Sequence, residues 1–170
     1  MDVKILIFSF FLLFLVILFQ SYGKTIYGEP EIIDGDTVHI NNNKIRLHAI
    51  DAPEMKQTCT KDKIIWNCGI QSTKFLKEII DEEKITCRTM GKDKYKRYIG
   101  VCYKSKKNFL WRKSTDIIDL NREMVLNGWA IAYRYYSLEY AEEEESAKLN
   151  NVGIWSGEFE EPYLFRKKNK

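Results

Sequence analysis

An α+β domain is what this sequence predicts, and three observations predict it. From Thr25 onward, short alternating segments separated by turn residues read as strands. One stretch with apolar residues at helical spacing interrupts them, and further helical stretches follow the last strand. A chain of 170 residues bounds this to one domain.

The N-terminus comes first and stands apart. Ile5 to Phe19 is an unbroken apolar run, preceded by Lys4 and followed by Gln20 and the small residues Ser21 and Gly23 around Tyr22. That succession is the pattern of a secretory signal, and the run is short against the roughly 20 apolar residues of a membrane span. Residues 1–23 are therefore expected to be a cleaved signal peptide. The alternative is an uncleaved anchor that attaches the protein to a membrane through residues 5–19. Either way the rest of the chain is exported, secreted or periplasmic.

Thr37 to Ile40 alternates, Asn41, Asn42 and Asn43 form a turn cluster, and Lys44 to His48 alternates again, which makes a hairpin. In its second strand Ile45, Leu47 and Ala49 face one way, Arg46 and His48 the other, and Pro53 ends the run. Ser72 to Asp81 carries Phe75, Leu76, Ile79 and Ile80 at helical spacing behind Ser72 as cap. Ile85 to Thr89 and Ile99 to Tyr103 read as strands flanking a Lys/Arg turn. A helix over about 121–126 stops at Asn127 and Gly128, and another runs from about Ser137 to Leu149, its glutamates mid-helix on a wet face. Five or so short, curved strands suit a small Greek-key β-barrel of the OB type, with about three helices around it. This domain covers residues 24–156. Residues 157–170 read as a basic, loosely attached tail that Phe159, Tyr163 and Phe165 anchor in part.

Four cysteines permit three pairings. A regular hairpin centred on Lys94 and Tyr95 sets Cys87 opposite Cys102, leaving Cys59 and Cys68 to pair across their own loop, which contains Asn67 and Gly69. Zinc is the competing reading, but the spacing is far from paired Cys-x-x-Cys knuckles. Two disulfides agree with export.

Net charge is +3, unchanged without the leader, which holds one Lys and one Asp. This alone does not mark a nucleic-acid binder. The basic residues are clustered, however, at Lys92, Lys94, Lys96 and Arg97, at Lys104, Lys106 and Lys107, and at Arg166, Lys167, Lys168 and Lys170, against Glu142 to Glu145. A solvated mixed surface accounts equally well for any one cluster.

The chemistry concentrates in Asp34-Gly35-Asp36-Thr37 and in Arg46 through Glu54. In extended backbone Asp34 and Asp36 fall on one side, and Asp51 and Glu54 add two carboxylates at the end of the next strand. Oxygen donors at this density suit a hard cation such as calcium, although Asp-Gly is also an ordinary turn. Arg46 beside them, and Arg97 at the end of its turn, supply guanidinium groups that take two oxygens of a phosphodiester at once. Glu54 is placed to take a proton from water. His39 and His48 read as structural or surface residues.

These segments, with the Asp93 to Arg97 turn and Gly128-Trp129-Ala130 followed by tyrosines, resemble the staphylococcal nuclease (thermonuclease) family from about Ile26 to Trp155, in that family's order and with similar separations. The resemblance implies an OB-type barrel with three helices. It also implies calcium-dependent hydrolysis of DNA and RNA by a monomer, endonucleolytic, with little sequence specificity, leaving 3′-phosphates. Residue by residue it implies Asp36, Asp51 and the main-chain carbonyl of Ala52 as Ca2+ ligands, with Asp34 supporting them from behind. Glu54 would be the general base or water orienter, Arg46 and Arg97 the phosphate-holding groups, and Tyr95, Tyr133 and Tyr135 the nucleotide contacts. Two positions depart from the family. Ala52 replaces a threonine found in some members, and Lys96 stands where glycine usually precedes the arginine, which strains the turn if that position is left-handed. A non-catalytic OB-fold module binding single-stranded nucleic acid, exported or membrane-tethered, is the alternative, and a tethered surface protein making protein contacts is a third. The Arg46, Glu54 and Arg97 set argues against both, because binding needs no general base.

Overall fold

The structure, a computed structural model, describes residues 23–105 and 117–169. All of the expected leader but Gly23 lies outside the described residues, as do Lys106, Lys107 and Lys170 of the basic clusters. No helix among the described residues is long and apolar enough to cross a membrane.

Strands come first, and they are short because turn residues interrupt them. β1 (Thr25–Gly28), β2 (Glu31–Ile32), β3 (Thr37–Ile40), β4 (Asn43–Leu47) and β5 (Ile50–Asp51) precede a small hairpin of β6 (Cys59–Lys61) and β7 (Ile64–Trp66). Helix α1 (Cys68–Ile80) is followed by the long hairpin β8 (Ile85–Lys92) and β9 (Tyr98–Ser105). Then come β10 (Ile117–Asp119), α2 (Leu120–Leu126), β11 (Ile131–Ala132), α3 (Ala141–Leu149), a 3-10 turn at Gly153–Ser156 and α4 (Pro162–Lys168).

The main sheet runs β1-β8-β9-β4-β3-β2, with β10 added to β9. Only β4 and β9 are parallel in it, with Arg46 opposite Ile99. The α+β class is as expected, but the detail differs in two respects. Seven strands form a mixed sheet whose pairing does not close into a five-stranded barrel, and the described residues hold four α-helices rather than about three. The turn at Asn41 and Asn42 has both residues at positive φ, 48° and 64°, the backbone a two-residue hairpin requires. As the alternation predicts, Ile45, Leu47 and Ala49 are buried while Arg46 and His48 are only partly so.

Val38, Ile40, Ile45, Leu47, Ile85 and Cys87 from the sheet meet Leu76 and Ile80 of α1 and Leu120 and Met124 of α2 in the principal core. Both disulfides pair as expected, Cys87 with Cys102 and Cys59 with Cys68, and such bonds belong to an oxidising environment. Cys87 lies directly opposite Cys102, with a register shift between Thr89 and Gly91 nearer the turn. The loop between Cys59 and Cys68 is the β6–β7 hairpin, turned at Asp62 and Lys63 (φ 51° and 65°) rather than at Asn67 and Gly69.

Helix α1 begins at Cys68, four residues before the expected cap. Asn67 carbonyl accepts from Gln71 N–H (3.2 Å), and Ser72 lies inside the helix, where its hydroxyl donates to the Trp129 carbonyl (2.7 Å). Helix α3 starts at Ala141, so Glu142, Glu143 and Glu144 occupy its first turn, where negative charge offsets the helix dipole. Glu144 is buried, not wet: it accepts from the Ala132 N–H (3.0 Å) and pairs with Arg134 and Lys148.

The C-terminal residues expected to form a loose tail are docked. Thr60 and Glu158 exchange backbone hydrogen bonds of 2.8 and 2.7 Å, and the buried Gln57 donates to the Glu160 carbonyl at 2.6 Å. Proline at the first turn then opens α4.

The Cys87–Cys102 bond closes a separation of 15 residues, and loop-closure entropy at that length is about 3 kcal/mol. Replacing both cysteines with alanine is expected to lower the unfolding free energy by about that amount, read as a drop in the urea midpoint with a slope that rises as the unfolded chain loses its cross-link.

Candidate active site

Three consecutive backbone segments converge because β3 pairs with β4 and β5 follows directly. Thr37 lies opposite Arg46, and Leu47 N–H donates to the Asp36 carbonyl (2.8 Å), which sets Asp36 beside the end of β4. The chain then reverses through His48 and Ala49, with Ala49 in the left-handed region (φ 59°), and enters β5. Buried Asn121 fixes this reversal. Its amide donates to the His48 carbonyl (2.9 Å), and its oxygen accepts from Cys102 N–H (3.1 Å).

Arg46 reaches across the gap. Nη1 donates to Asp36 Oδ1 at 2.5 Å and Nη2 to Asp51 Oδ1 at 2.6 Å. The side chains of Asp36 and Asp51 are 4% and 0% exposed, so these charges are almost dry, and one guanidinium holds both carboxylates together. Asp36 also accepts from the Thr37 hydroxyl (3.0 Å) and, through Oδ2, from Ala52 N–H (3.0 Å). Asp34 Oδ1 accepts from Asp36 N–H at 2.9 Å, a support two residues behind Asp36.

Two glycines permit this closeness. A side chain at Gly35 would overlap Ser72 of α1, and one at Gly69 would overlap the Glu54 carbonyl. Helix α1 thereby packs its first turns directly against Glu54 and the Asp34 to Asp36 turn. Glu54 N–H donates to Gln57 Oε1 (3.2 Å) and its carbonyl accepts from Gln57 N–H (2.7 Å), while its carboxylate stays partly exposed.

A second guanidinium meets the cluster, and it is not the expected one. Arg166 of α4 sets Nη1 2.9 Å from both Glu54 Oε1 and Asp51 Oδ1, and Nη2 2.9 Å from Asp51 Oδ2. Only its place in a basic C-terminal run marked Arg166 in the sequence, a signal identical to that of a solvated tail. Arg97 instead pairs with Asp93, Nε to Oδ2 at 2.8 Å, inside its own turn, not with Asp36, Asp51 or Glu54. Asp93 Oδ1 also accepts from the backbone of Tyr95 and Arg97, both at 2.9 Å. Burial alone would raise the Asp93 carboxyl, but the Arg97 hydrogen bonds outweigh it and hold that carboxyl below its ordinary range. Lys96 has φ 64°, the left-handed conformation that favours glycine, and this closes the turn beneath Arg97.

Tyr133 follows β11, its N–H donating to the Ala49 carbonyl (2.8 Å), so it sits by the same reversal. Its ring lies 6.2 Å from that of Tyr135 and 5.1 Å from that of Tyr136, a third member that the sequence reading missed although it is the adjacent residue. Tyr135 is 83% exposed and Tyr95 62%, with Arg97 and Lys94 near the Tyr95 ring face at 5.6 and 5.1 Å. His39 and His48 are surface-side residues facing Glu31 and Glu139.

Among the described residues no three His, Cys, Asp or Glu side chains stand together as a cluster able to hold a metal ion. The ligands that the family resemblance implies, Asp36, Asp51 and the Ala52 carbonyl, would offer oxygen alone, the chemistry a hard cation takes rather than zinc or copper.

Burial first, and then the Asp36 charge, push the Asp34 carboxyl up to about 7. A carboxyl that keeps its proton longer when folded makes stability fall as pH rises between its unfolded and folded values. From about pH 4 to about pH 7, Asp34→Asn is therefore expected to gain stability relative to the unsubstituted protein. Urea unfolding in chelator at stepped pH checks this.

The family model of staphylococcal nuclease homologues matches residues 44–157. An uncharacterized endonuclease of Haemophilus influenzae is 31% identical, over 98% of this chain and 87% of its own length. The succinoglycan biosynthesis protein ExoI of Rhizobium meliloti is 30% identical over 78% of this chain and 66% of its own length. A micrococcal nuclease of Shigella flexneri is 29% identical over 82% of this chain and 79% of its own length.

Proposed function

We propose that this chain, which belongs to the family of staphylococcal nuclease homologues, is an exported, calcium-dependent phosphodiesterase that cleaves DNA and RNA endonucleolytically, with little sequence preference, to leave 3′-phosphates. One observation carries the reading: Arg46 draws the Asp36 and Asp51 carboxylates together, and Arg166 links Asp51 to the partly exposed Glu54. Asp36, Asp51 and the Ala52 carbonyl would hold Ca2+, which when bound supplies positive charge to the phosphate and acidifies water. Glu54 takes the proton of the attacking water. Arg46 and Arg97 offset the charge that builds on the non-bridging oxygens. Tyr95, Tyr133 and Tyr135 stack bases without reading them, which suits a substrate of any sequence.

The hydrogen bonds among these residues support the reading. Asp34 accepts from the Asp36 N–H, and Asp36 accepts from the Ala52 N–H, which joins the three positions by backbone hydrogen bonds. Export is supported by the apolar run at 5–19 and by both disulfides.

Digestion of single-stranded DNA by the Lys24 to Lys170 protein is the test. Activity with Ca2+ and none with chelator is expected, and Glu54→Gln should lower kcat by about 10²–10⁴-fold, the ordinary worth of a general base. Undiminished cleavage by that variant, or in chelator, would sink the mechanism. Binding without any cleavage would favour the single-strand-binding module. Tyr135→Ala is expected to weaken single-strand binding by about 1–3 kcal/mol at little cost to stability, as measured by fluorescence titration.

A further inference from the structure

Asp51 is doubly claimed. Oδ1 accepts from Arg46 Nη2 and lies 2.9 Å from Arg166 Nη1, and Oδ2 accepts from Arg166 Nη2 at 2.9 Å. The same Arg166 fork holds Glu54 Oε1 at 2.9 Å. A guanidinium thus spans one proposed cation ligand and the proposed base, in the geometry by which arginine takes paired oxygens.

The two arginines differ in what holds them. Arg46 is on a central strand, 17% exposed and locked between two dry carboxylates. Arg166 is 30% exposed on a short terminal helix that buries only Pro162, with Tyr163 and Leu164 47% and 43% exposed. Ahead of it, α4 is tied to the body through Glu158 and Glu160. Beyond Pro162 no residue of α4 is fully buried; Phe165 is half-buried, and Arg166 supplies the ion pairs to Asp51 and Glu54.

From this we infer that Arg166 sets the cation affinity of the site: its guanidinium and a divalent cation compete for Asp51, and occupation by the cation loosens α4. The inference rests on the cation reading above. Like charges a few ångströms apart in a poorly solvated site repel strongly, so the fork and a dication do not both keep close contact with Asp51. A cation that enters displaces the fork from Asp51 and Glu54 together, which frees the base as the ligand is taken. The C-terminal helix therefore acts as an internal counter-cation that raises the concentration of free metal at which the site fills.

The test titrates Ca2+ alone into the unsubstituted protein and into R166Q by calorimetry, without nucleic acid, and follows hydrogen exchange of the α4 amides in the unsubstituted protein with and without Ca2+. R166Q is expected to bind Ca2+ at least about tenfold more tightly, because a competing positive charge is gone. The amides of 163–168 are expected to exchange faster once Ca2+ is bound. Equal affinities in the two proteins overturn the inference, as does α4 exchange that Ca2+ leaves unchanged, while either leaves the nuclease reading standing. No Ca2+ binding by either protein overturns the cation site itself and this inference with it.

Discussion

Everything at the site depends on one buried interaction, the Arg46 guanidinium held between Asp36 and Asp51. It joins the entry to β3, the middle of β4 and the end of β5, three segments whose backbone pairing alone leaves the carboxylates repelling each other out of water. Breaking such a buried pair by removing one partner typically costs about 3–5 kcal/mol, a large share of a small domain's stability. The orientation of Ala52 follows, because its N–H is bound to the far oxygen of Asp36. Loss of activity on removing Arg46 would consequently mix unfolding with chemistry. Glu54 is the cleaner probe, since its carboxylate is partly exposed and helps close no core.

Two neutral amides complete what the ion cluster begins. Asn121 ties the reversal after β4 to β9, and Gln57 ties the Glu54 turn to Glu160, both side chains fully buried and hydrogen-bonded. Left unpaired, such buried groups would cost about 1–3 kcal/mol each, so the tertiary contacts they specify are favoured over near alternatives. Through Gln57 the candidate base and the C-terminal segment belong to one unit. Any description of the site that stops near residue 157 leaves out an element that touches it.

What was legible in the sequence was local. The alternation of Ile45, Leu47 and Ala49 against Arg46 and His48 has period two whatever the rest of the chain does, and counting out from Lys94 and Tyr95 reaches the right cysteines because a bulge between Thr89 and Gly91 offsets a turn centred on Tyr95. Contacts set by tertiary packing were not legible. Cys68 starts α1 because its disulfide and the glycine after it bring the chain against Glu54, which no helix-capping preference anticipates. Glu144 reads as one of four solvated glutamates until β11 presents it an N–H. Arg166 and Asp51 are separated by 115 positions, and a basic run near the C-terminus looks alike whether it is solvated or inserted.

Arg97 and Arg166 engage their carboxylates through different donors. A guanidinium offers five N–H groups in a fixed fork. Asp93 engages Arg97 through Nε, which steadies the side chain while leaving the Nη edge of the fork for another acceptor. The left-handed Lys96 makes that hold possible, because it lets the turn close with Asp93 accepting from the backbone of Tyr95 and Arg97 as well. Arg166 by contrast spends its Nη edge on Asp51 and Glu54. Arg97 thus donates through Nε within its own turn, whereas Arg166 satisfies acceptors that, on the proposed reading, a cation would claim. The left-handed Lys96 closes the turn that leaves the Arg97 guanidinium 5.6 Å from the centre of the exposed Tyr95 ring.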